Sequence, residues 1–382
     1  MVEYNSFIYP KGVEINMSEE KKLLALDLFC GAGGLSYGFQ QAGYTIIAGL
    51  DNNIFAQATY TTNFPKAKFY PGDIRKIKPE TVMAELGIKP GELDCLIGGP
   101  PCQGFSVKGN MDLTDERNLL FKNFMRFVFI LKPKAVLIEN VPPILTLGEE
   151  RFQKGIRHLF RRYGYRARFK TLMAGEYGVP QKRKRAFFLA LSDHKEPTFP
   201  SPTHAMRANK KKSLSRFVKI REAIGDLPPL RIEQQVDTYT KEPRSEYQKL
   251  MRGDQDRLYN HDAKIESETN LERIRYLKQG QGIKDLPSYL QPKSGYSQAY
   301  GRLSNKGLAT TITANMHNLG SGRYIHPTQN RAISVREGAR LQSFDDKFIF
   351  YSSRYSQCHQ VGNAVPPLLA KAIATHIKNN LL

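Results

Sequence analysis

At 382 residues the chain exceeds the roughly 250–300 residues at which a single hydrophobic core stops growing, so its length predicts two structural units. A formal net charge of +21 and a sequence pI of about 9.7 point to a polyanionic partner, nucleic acid foremost. Four cysteines, at 30, 95, 102 and 358, show no paired short spacing and no histidine cluster, which excludes a disulfide framework and a structural zinc site and predicts no metal. No stretch approaches the roughly 20 apolar residues of a membrane span, and Met1 to Glu20 is polar without an apolar signal core, so a soluble, intracellular protein is expected. The basic residues read as dispersed, with no basic amphipathic helix to suit an anionic membrane.

Through about residue 192 the pattern alternates strand and helix. Apolar runs at Leu23–Phe29, Thr45–Leu50, Leu93–Ile97 and Ala135–Ile138, separated by segments of helical spacing, predict a parallel, doubly wound α/β sheet. A helix beginning near Glu116 places Leu120, Phe124, Phe127 and Leu131 on one face as core, and Pro133 stops it. Arg166–Ala174 and Ala186–Leu191 supply two further strands. From about Pro197 the alternation dissolves into Pro-, Lys- and Gly-rich sequence, including Lys210–Lys212 and Pro228-Pro229, which marks a second, irregular lobe. Ala364 to Ile377 regains helical spacing after Pro366-Pro367, so the chain is expected to return and pack on the first lobe.

Chemistry-bearing residues collect at the predicted carboxyl ends of the strands, where α/β sheets bind ligands. The first strand runs into the glycine-rich turn Asp27-Leu-Phe-Cys-Gly-Ala-Gly-Gly34, which suits a dinucleotide, a phosphate, an adenosyl group or simply a tight turn. Asp51, about twenty residues on, can accept from both ribose hydroxyls, which favours adenosine-containing ligands. Gly72-Asp73-Ile74 adds a carboxylate for an exocyclic amine and an apolar neighbour for a purine face. In Gly98-Gly-Pro-Pro-Cys-Gln-Gly-Phe-Ser106 two prolines fix φ ahead of one thiol, Cys102. Glu139, in Glu139-Asn-Val-Pro142, enters the same crevice, and a converging cysteine and glutamate suggest covalent catalysis with acid assistance. In Gln181-Lys-Arg-Lys-Arg185, strand alternation puts Gln181, Arg183 and Arg185 on one face and Lys182 and Lys184 on the other.

These blocks, followed by the run from Arg331 to Phe344 and by Gln360-Val-Gly-Asn-Ala-Val-Pro366, resemble in content and order the DNA (cytosine-5) methyltransferase family of compact bacterial restriction-modification type. The resemblance spares only the N-terminal extension and roughly 193 to 300. It implies a doubly wound, mostly parallel sheet of the S-adenosylmethionine-dependent methyltransferase type with a second, smaller, irregular DNA-recognition domain. The implied organisation is an extension at 1–20, a catalytic cofactor-binding domain at 21–195, a target-recognition domain and hinge at 196–345, and a returning segment at 346–382.

Carried over by position, the resemblance implies that Cys102 attacks carbon 6 of a flipped-out cytosine while Glu139 engages ring nitrogen 3 and Arg183 and Arg185 hold the base. It assigns Phe29, Gly31 and Gly33 to the adenosyl and methionine portions of S-adenosylmethionine, Asp51 to the ribose, Asp73 and Ile74 to adenine, Pro100 to the methyl and Asn363 to the pocket wall. Asn52 stands where the family often has an aromatic that stacks on adenine, so stacking is weaker here or comes from elsewhere. Gln103 to Arg117, with Lys108, Asn110 and Arg117 and hinge glycines 104 and 109, is the expected closing loop. Arg302, Thr310, Thr313, Asn315, Gly320 and Gly322 lie where the family contacts DNA, and Lys210–Lys212 suits phosphates. The implied partners are double-stranded DNA and a functionally paired restriction endonuclease, with no membrane; a monomer on DNA in the bacterial cytoplasm is expected. Two rival readings are transfer RNA as the substrate and a catalytically silent DNA-binding protein. The extended basic lobe opposes the first, and Cys102, Glu139, Arg183 and Arg185 together oppose the second.

Overall fold

The computed structural model describes residues 22–101, 119–145, 151–193, 195–231, 234–292, 297–380 and 382. Cys102 and the expected closing loop Gln103–Arg117 lie outside the described residues. The first lobe runs β1 (Leu23–Leu28), α1 (Gly34–Gln41), β2 (Tyr44–Asp51), α2 (Ile54–Asn63), β3 (Lys68–Pro71), α3 (Pro79–Glu85), β4 (Cys95–Gly98), α4 (Leu119–Leu131), β5 (Ala135–Asn140), α5 (Arg151–Arg162), β6 (Arg166–Met173) and β7 (Lys184–Leu191). They build a seven-stranded sheet in the order β3-β2-β1-β4-β5-β7-β6. Strands β1 to β5 pair in parallel, whereas β7 runs antiparallel to both its neighbours.

Helices cover both faces of the central strands, which is why those strands read as unbroken apolar runs. Ala25, Ile97, Leu137 and Leu189 pack into one apolar layer, and Leu26, Leu96, Val136 and Phe188 into the other. Helix α4 buries Phe124, Phe127 and Leu131 completely, as the stripe predicted, and Leu120 partly. Lys132, at a φ of 47°, leaves the helix just ahead of Pro133.

Helix α5 corrects the expectation of dispersed basic charge. It is a basic amphipathic helix that buries Ile156 and Phe160 and exposes Lys154, Arg157, Arg161 and Arg162. The 3.6-residue period is written in the sequence, with Phe152, Ile156, Leu159 and Phe160 at i, i+4, i+7 and i+8. No helix among the described residues is long and apolar enough to cross a membrane.

Beyond β7 the chain forms short pieces: the two-residue strands β8 (His204–Ala205) and β9 (Ser215–Arg216), then α6 (Ile220–Ile224), α7 (Glu246–Arg252) and α8 (Glu268–Tyr276). Helices α6, α7 and α8 share one apolar cluster with α9 (Val335–Leu341), and the segment just after α6 is tied to that helix by an ion pair. Arg340, fully buried, donates to Asp226 at 2.6 Å and to both oxygens of Asp346 at 2.5 and 2.9 Å. Arg336 spends its guanidinium on the carbonyls of Tyr259, Asp345 and Phe348.

The last two helices, α10 (Arg354–Asn363) and α11 (Pro367–Asn380), return to the first lobe as the spacing predicted. Helix α11 seats Ala370, Ile373 and Ile377 against α1. The helices touch at Gly38, where an added Cβ would lie 2.4 Å from Ala370 Cβ and 2.6 Å from the Pro367 carbonyl. Neither neighbour is a flexible side-chain end, so Gly38→Ala forces the helices apart. We expect a loss of about 1–3 kcal/mol, read as a lowered urea midpoint with an unchanged m value.

Candidate active site

The carboxyl ends of β1, β2, β4 and β5 meet the α10–α11 junction around a cavity of about 780 Å³. On one side the chain leaving β1 turns through left-handed conformations at Phe29, Gly31 and Gly33, with φ of 60°, 51° and 94°. A Cβ on Gly31 would meet nothing within 4 Å, because that residue faces the cavity. At Gly33 it would fall 2.3 Å from the Phe64 ring, so that glycine answers to packing beneath the loop. Asp51 holds the loop from β2: one carboxylate oxygen accepts from the Gly31 N–H at 2.7 Å and the other from the Asn53 N–H at 2.7 Å. Burial raises its pKa above the ordinary value in spite of these bonds.

Asp27, at the inner end of this turn, is a site residue that motif reading passed over as the opening letter of a block. It is fully buried and lines the cavity; one oxygen accepts from the Ser36 hydroxyl at 2.7 Å and its N–H at 3.2 Å. The other oxygen, Oδ1, has no hydrogen-bond partner among the described residues. Burial pushes its pKa up to about 7. An acid within the apolar stretch Leu-Leu-Ala-Leu-Asp-Leu was the available signal. An orphaned carboxylate oxygen, a glycine loop with open space above it and a ribose-ready acid at Asp51 together fit a donor carrying an adenosyl group and a cationic ammonium.

The opposite side carries the predicted reactive groups. Glu139, at the end of β5, pairs with Arg185 Nε at 2.8 Å, and its side chain is 13% exposed. Burial raises its pKa, against the opposing pull of Arg185 and Arg183. Its other oxygen lies 3.2 Å from where a Cβ on Gly99 would be, so glycine at that position leaves the carboxyl room beside the Pro-Pro turn. Asn140 donates to the Pro100 carbonyl at 2.9 Å and accepts from the Val141 N–H at 2.9 Å, which fixes the turn two residues ahead of Cys102. This positioning role was not read from the sequence.

The alternation predicted for 181–185 is present: Gln181 and Arg183 are buried and Arg185 is largely so, while Lys182 and Lys184 are exposed. Arg183 donates to the carbonyls of Ile312, Gly362 and Ala364 at 2.7, 2.9 and 3.1 Å, and its buried Nε has no hydrogen-bond partner among the described residues. Burial, and then the charge of Arg185, lower its pKa to about 9, still cationic at neutral pH.

Phe29, Gly31, Asp51, Pro100, Glu139, Arg183, Arg185 and Asn363 thus line one cavity, joined by Thr313 and Asn315. Gly33, Asp73 and Ile74 do not: Asp73 is held by Arg75 through both its backbone and guanidinium, and Ile74 is buried in the apolar layer. Asn52 lines the wall without an aromatic ring. Arg302 is spent internally, donating to the carbonyls of Ile274, Leu277, His326 and Gln329 from a buried position. A larger hollow of about 930 Å³, around Arg216, Arg221, Asp226 and Lys241, has neither a glycine loop nor a convergence of strand ends.

A seven-stranded sheet with an antiparallel β7, bearing a glycine loop after β1 and an acid after β2 on one cavity, defines an S-adenosylmethionine-dependent methyltransferase. A solved structure of a prophage-encoded DNA modification methyltransferase (E. coli) shares the fold with a TM-score of 0.73 at 25% identity, covering 94% of this chain and 99% of the other. The chain belongs to the C-5 cytosine-specific DNA methylase family, whose model matches residues 23–379, and is a DNA (cytosine-5)-methyltransferase of restriction-modification type. It is 36% identical over 375 residues to the Type II methyltransferase M.DdeI of Desulfomicrobium norvegicum, covering 92% of this chain and 88% of that one. It is 33% identical over 426 residues to M.AgeI of Thalassovita gelatinovora, covering 92% and 98%.

Asp27 gives a stability test. Its native pKa of about 7 lies above the ordinary 3.8, so between those values the folded chain holds the proton more tightly than the unfolded one. Stability therefore falls as pH rises through that window, by up to about 1.4 kcal/mol per pH unit from this group. Asp27→Asn should flatten that part of the profile; chemical denaturation of both proteins from pH 4 to pH 8 measures the difference.

Proposed function

We propose that this methyltransferase flips a cytosine out of a specific double-stranded DNA sequence and methylates its carbon 5 through a covalent adduct between Cys102 and carbon 6. The observation that carries the reading is the shared cavity: Glu139 and Arg185 face it from one side, Gly31 and Asp51 from the other, and the Pro100-Pro101 turn that leads to Cys102 forms its wall. Flipping gives up a few kcal/mol of stacking and pairing, which contacts inside the cavity must recover.

Cytosine carbon 5 is too electron-poor to attack an electrophilic methyl directly. Addition of the Cys102 thiolate at carbon 6 forms an S–C bond and leaves an enamine, with Glu139 delivering a proton to nitrogen 3 so that no ring anion builds up. The upward shift of the Glu139 pKa suits this role, because burial makes the carboxyl hold its proton more tightly than a solvated glutamate would. Arg185, bonded to the same carboxyl, sets its orientation, and the two arginines favour the thiolate over the thiol. S-adenosylmethionine, held by the Gly31 loop with Asp51 on its ribose, Asp27 toward its ammonium and Pro100 and Asn363 along the wall, supplies a methyl on a sulfonium. Carbon 5 takes that methyl as the methyl–sulfur bond breaks and leaves a neutral thioether; its proton then leaves to a base or water, which expels the Cys102 thiolate from carbon 6, and nitrogen 3 returns its proton to Glu139.

Residues 196–345 serve as target-recognition domain and hinge in this reading, with 346–382 closing the cofactor wall. The enzyme acts as a monomer on DNA in the bacterial cytoplasm, paired in function with a restriction endonuclease.

Expression in a methylation-free host followed by conversion sequencing of its genome should reveal 5-methylcytosine in one recognition sequence. Cys102→Ala should abolish methyl transfer and denaturation-resistant adducts with 5-fluorocytosine DNA while leaving DNA binding intact; substantial residual transfer would sink the covalent mechanism. Glu139→Gln keeps the shape without the proton, and kcat should drop by about 10²-fold or more in single-turnover assays.

A further inference from the structure

We propose that the outer face of α5 is a second duplex-DNA contact, gripping phosphates of the DNA that runs on from the target. The segment Arg151–Arg162 carries Lys154, Arg157, His158, Arg161 and Arg162 on its exposed side and contains no acid. None of the four cationic side chains forms an ion pair among the described residues. The nearest acids in sequence, Glu149 and Glu150, lie outside the described residues, and Arg161 sits about 15 Å along the helix from its start.

The arrangement works against the isolated helix. Lys154 with Arg157, and Arg157 with Arg161, are like-charge neighbours three and four residues apart, and Lys154 stands near the positive end of the helix dipole. A surface needed only for solubility is served better by mixed signs. A line of unpaired cations on a rigid element is instead what a polyanion requires. Arg157 is also held in place, its guanidinium stacked 4.9 Å from the Phe169 ring centroid, which reduces the ordering needed to meet a phosphate.

Topology puts this face within reach of the bound duplex. Helix α5 follows β5, whose end carries Glu139, and Gln153 near its start donates at 2.6 Å to the carbonyl of Leu145, which lies on the segment leaving that strand end. Its 12 residues then lead away from that edge for about 18 Å, the rise of about five base pairs. The cations Arg166, Arg168 and Lys170 of β6 lie on the other face of the sheet, and two of them pair with Glu196; they guard an open sheet edge and are not part of the contact.

The test uses the full-length enzyme and a long duplex without a recognition site, with affinity measured across salt concentrations. Arg157→Gln combined with Arg161→Gln and Arg162→Gln should lower the slope of log affinity against log salt by about 2–3, whereas lysine at the same positions should preserve it. Turnover on a short duplex that fills only the target cavity should be unchanged, while KM on long DNA rises. An unchanged slope, or an equal loss in the lysine variant, overturns the proposal. So does intact DNA binding in the glutamine variant accompanied by lost retention on anionic phospholipid vesicles, which would make the face a membrane contact. Cys102→Ser should leave the slope untouched, so failure of the catalytic reading and failure of this one are distinguishable.

Discussion

One guanidinium holds the active site together. Arg183 reaches from just ahead of β7 to carbonyls 129, 179 and 181 residues further along the chain. Those carbonyls belong to Ile312 and to Gly362 and Ala364, the two residues that flank Asn363, so one side chain fixes both the returning wall of the cavity and the loop facing it. Neighbouring amides repeat the tie: Gln181 accepts from the Ile312 N–H and donates to Gln342, which in turn donates to the Val361 carbonyl. A buried cation is expensive to desolvate, and three carbonyl dipoles offset that penalty without neutralising the charge. The charge therefore remains available to the cavity.

That retained charge explains the behaviour of Glu139. A carboxyl at the dry end of a strand would be driven strongly toward its neutral form, and Arg185 and Arg183 pull it back. The balance leaves a carboxyl whose pKa is raised by burial and held in check by two neighbouring cations. The geometry around it depends on small things: a glycine at 99 leaves room for the carboxyl, and Asn140 pins the Pro100 carbonyl so that the stiff turn points one way. Chemistry and support come from adjacent letters of the same strand.

What the sequence made legible was local. Period-2 alternation placed Gln181, Arg183 and Arg185 inward, and apolar runs located the strands, because both patterns are written within a few residues. Partner choice is tertiary and was not legible. Arg302 looked like a DNA-contacting residue, yet backbone carbonyls from the end of α8 and from the 326–329 loop consume it. Gly33 reads like its neighbour Gly31 but is set by the Phe64 ring beneath it, a contact 31 positions distant. Asp27 hid in an apolar strand, and its meaning appears only once Ser36 is seen to satisfy one oxygen and nothing the other. The basic face of α5 escaped because charge was weighed along the chain, whereas folding sorts it onto surfaces.

The two kinds of charge in this molecule follow opposite rules, and the contrast separates chemistry from encounter. Inside, each arginine is matched: Arg185 to Glu139, Arg340 to Asp226 and Asp346, Arg183 to carbonyls, since an unmatched ion in a dry interior is costly. On α5 the exposed cations form no ion pair among the described residues; in water that costs little, and meeting a phosphate releases condensed counterions. A net charge of +21 is thus not one property but two populations. The buried population changes little with ionic strength because water and salt do not reach it, and the exposed one is screened within about 10 Å at moderate salt. Affinity for DNA can therefore be weakened by salt while the internal geometry that sets the rate of the chemical step stays as it is.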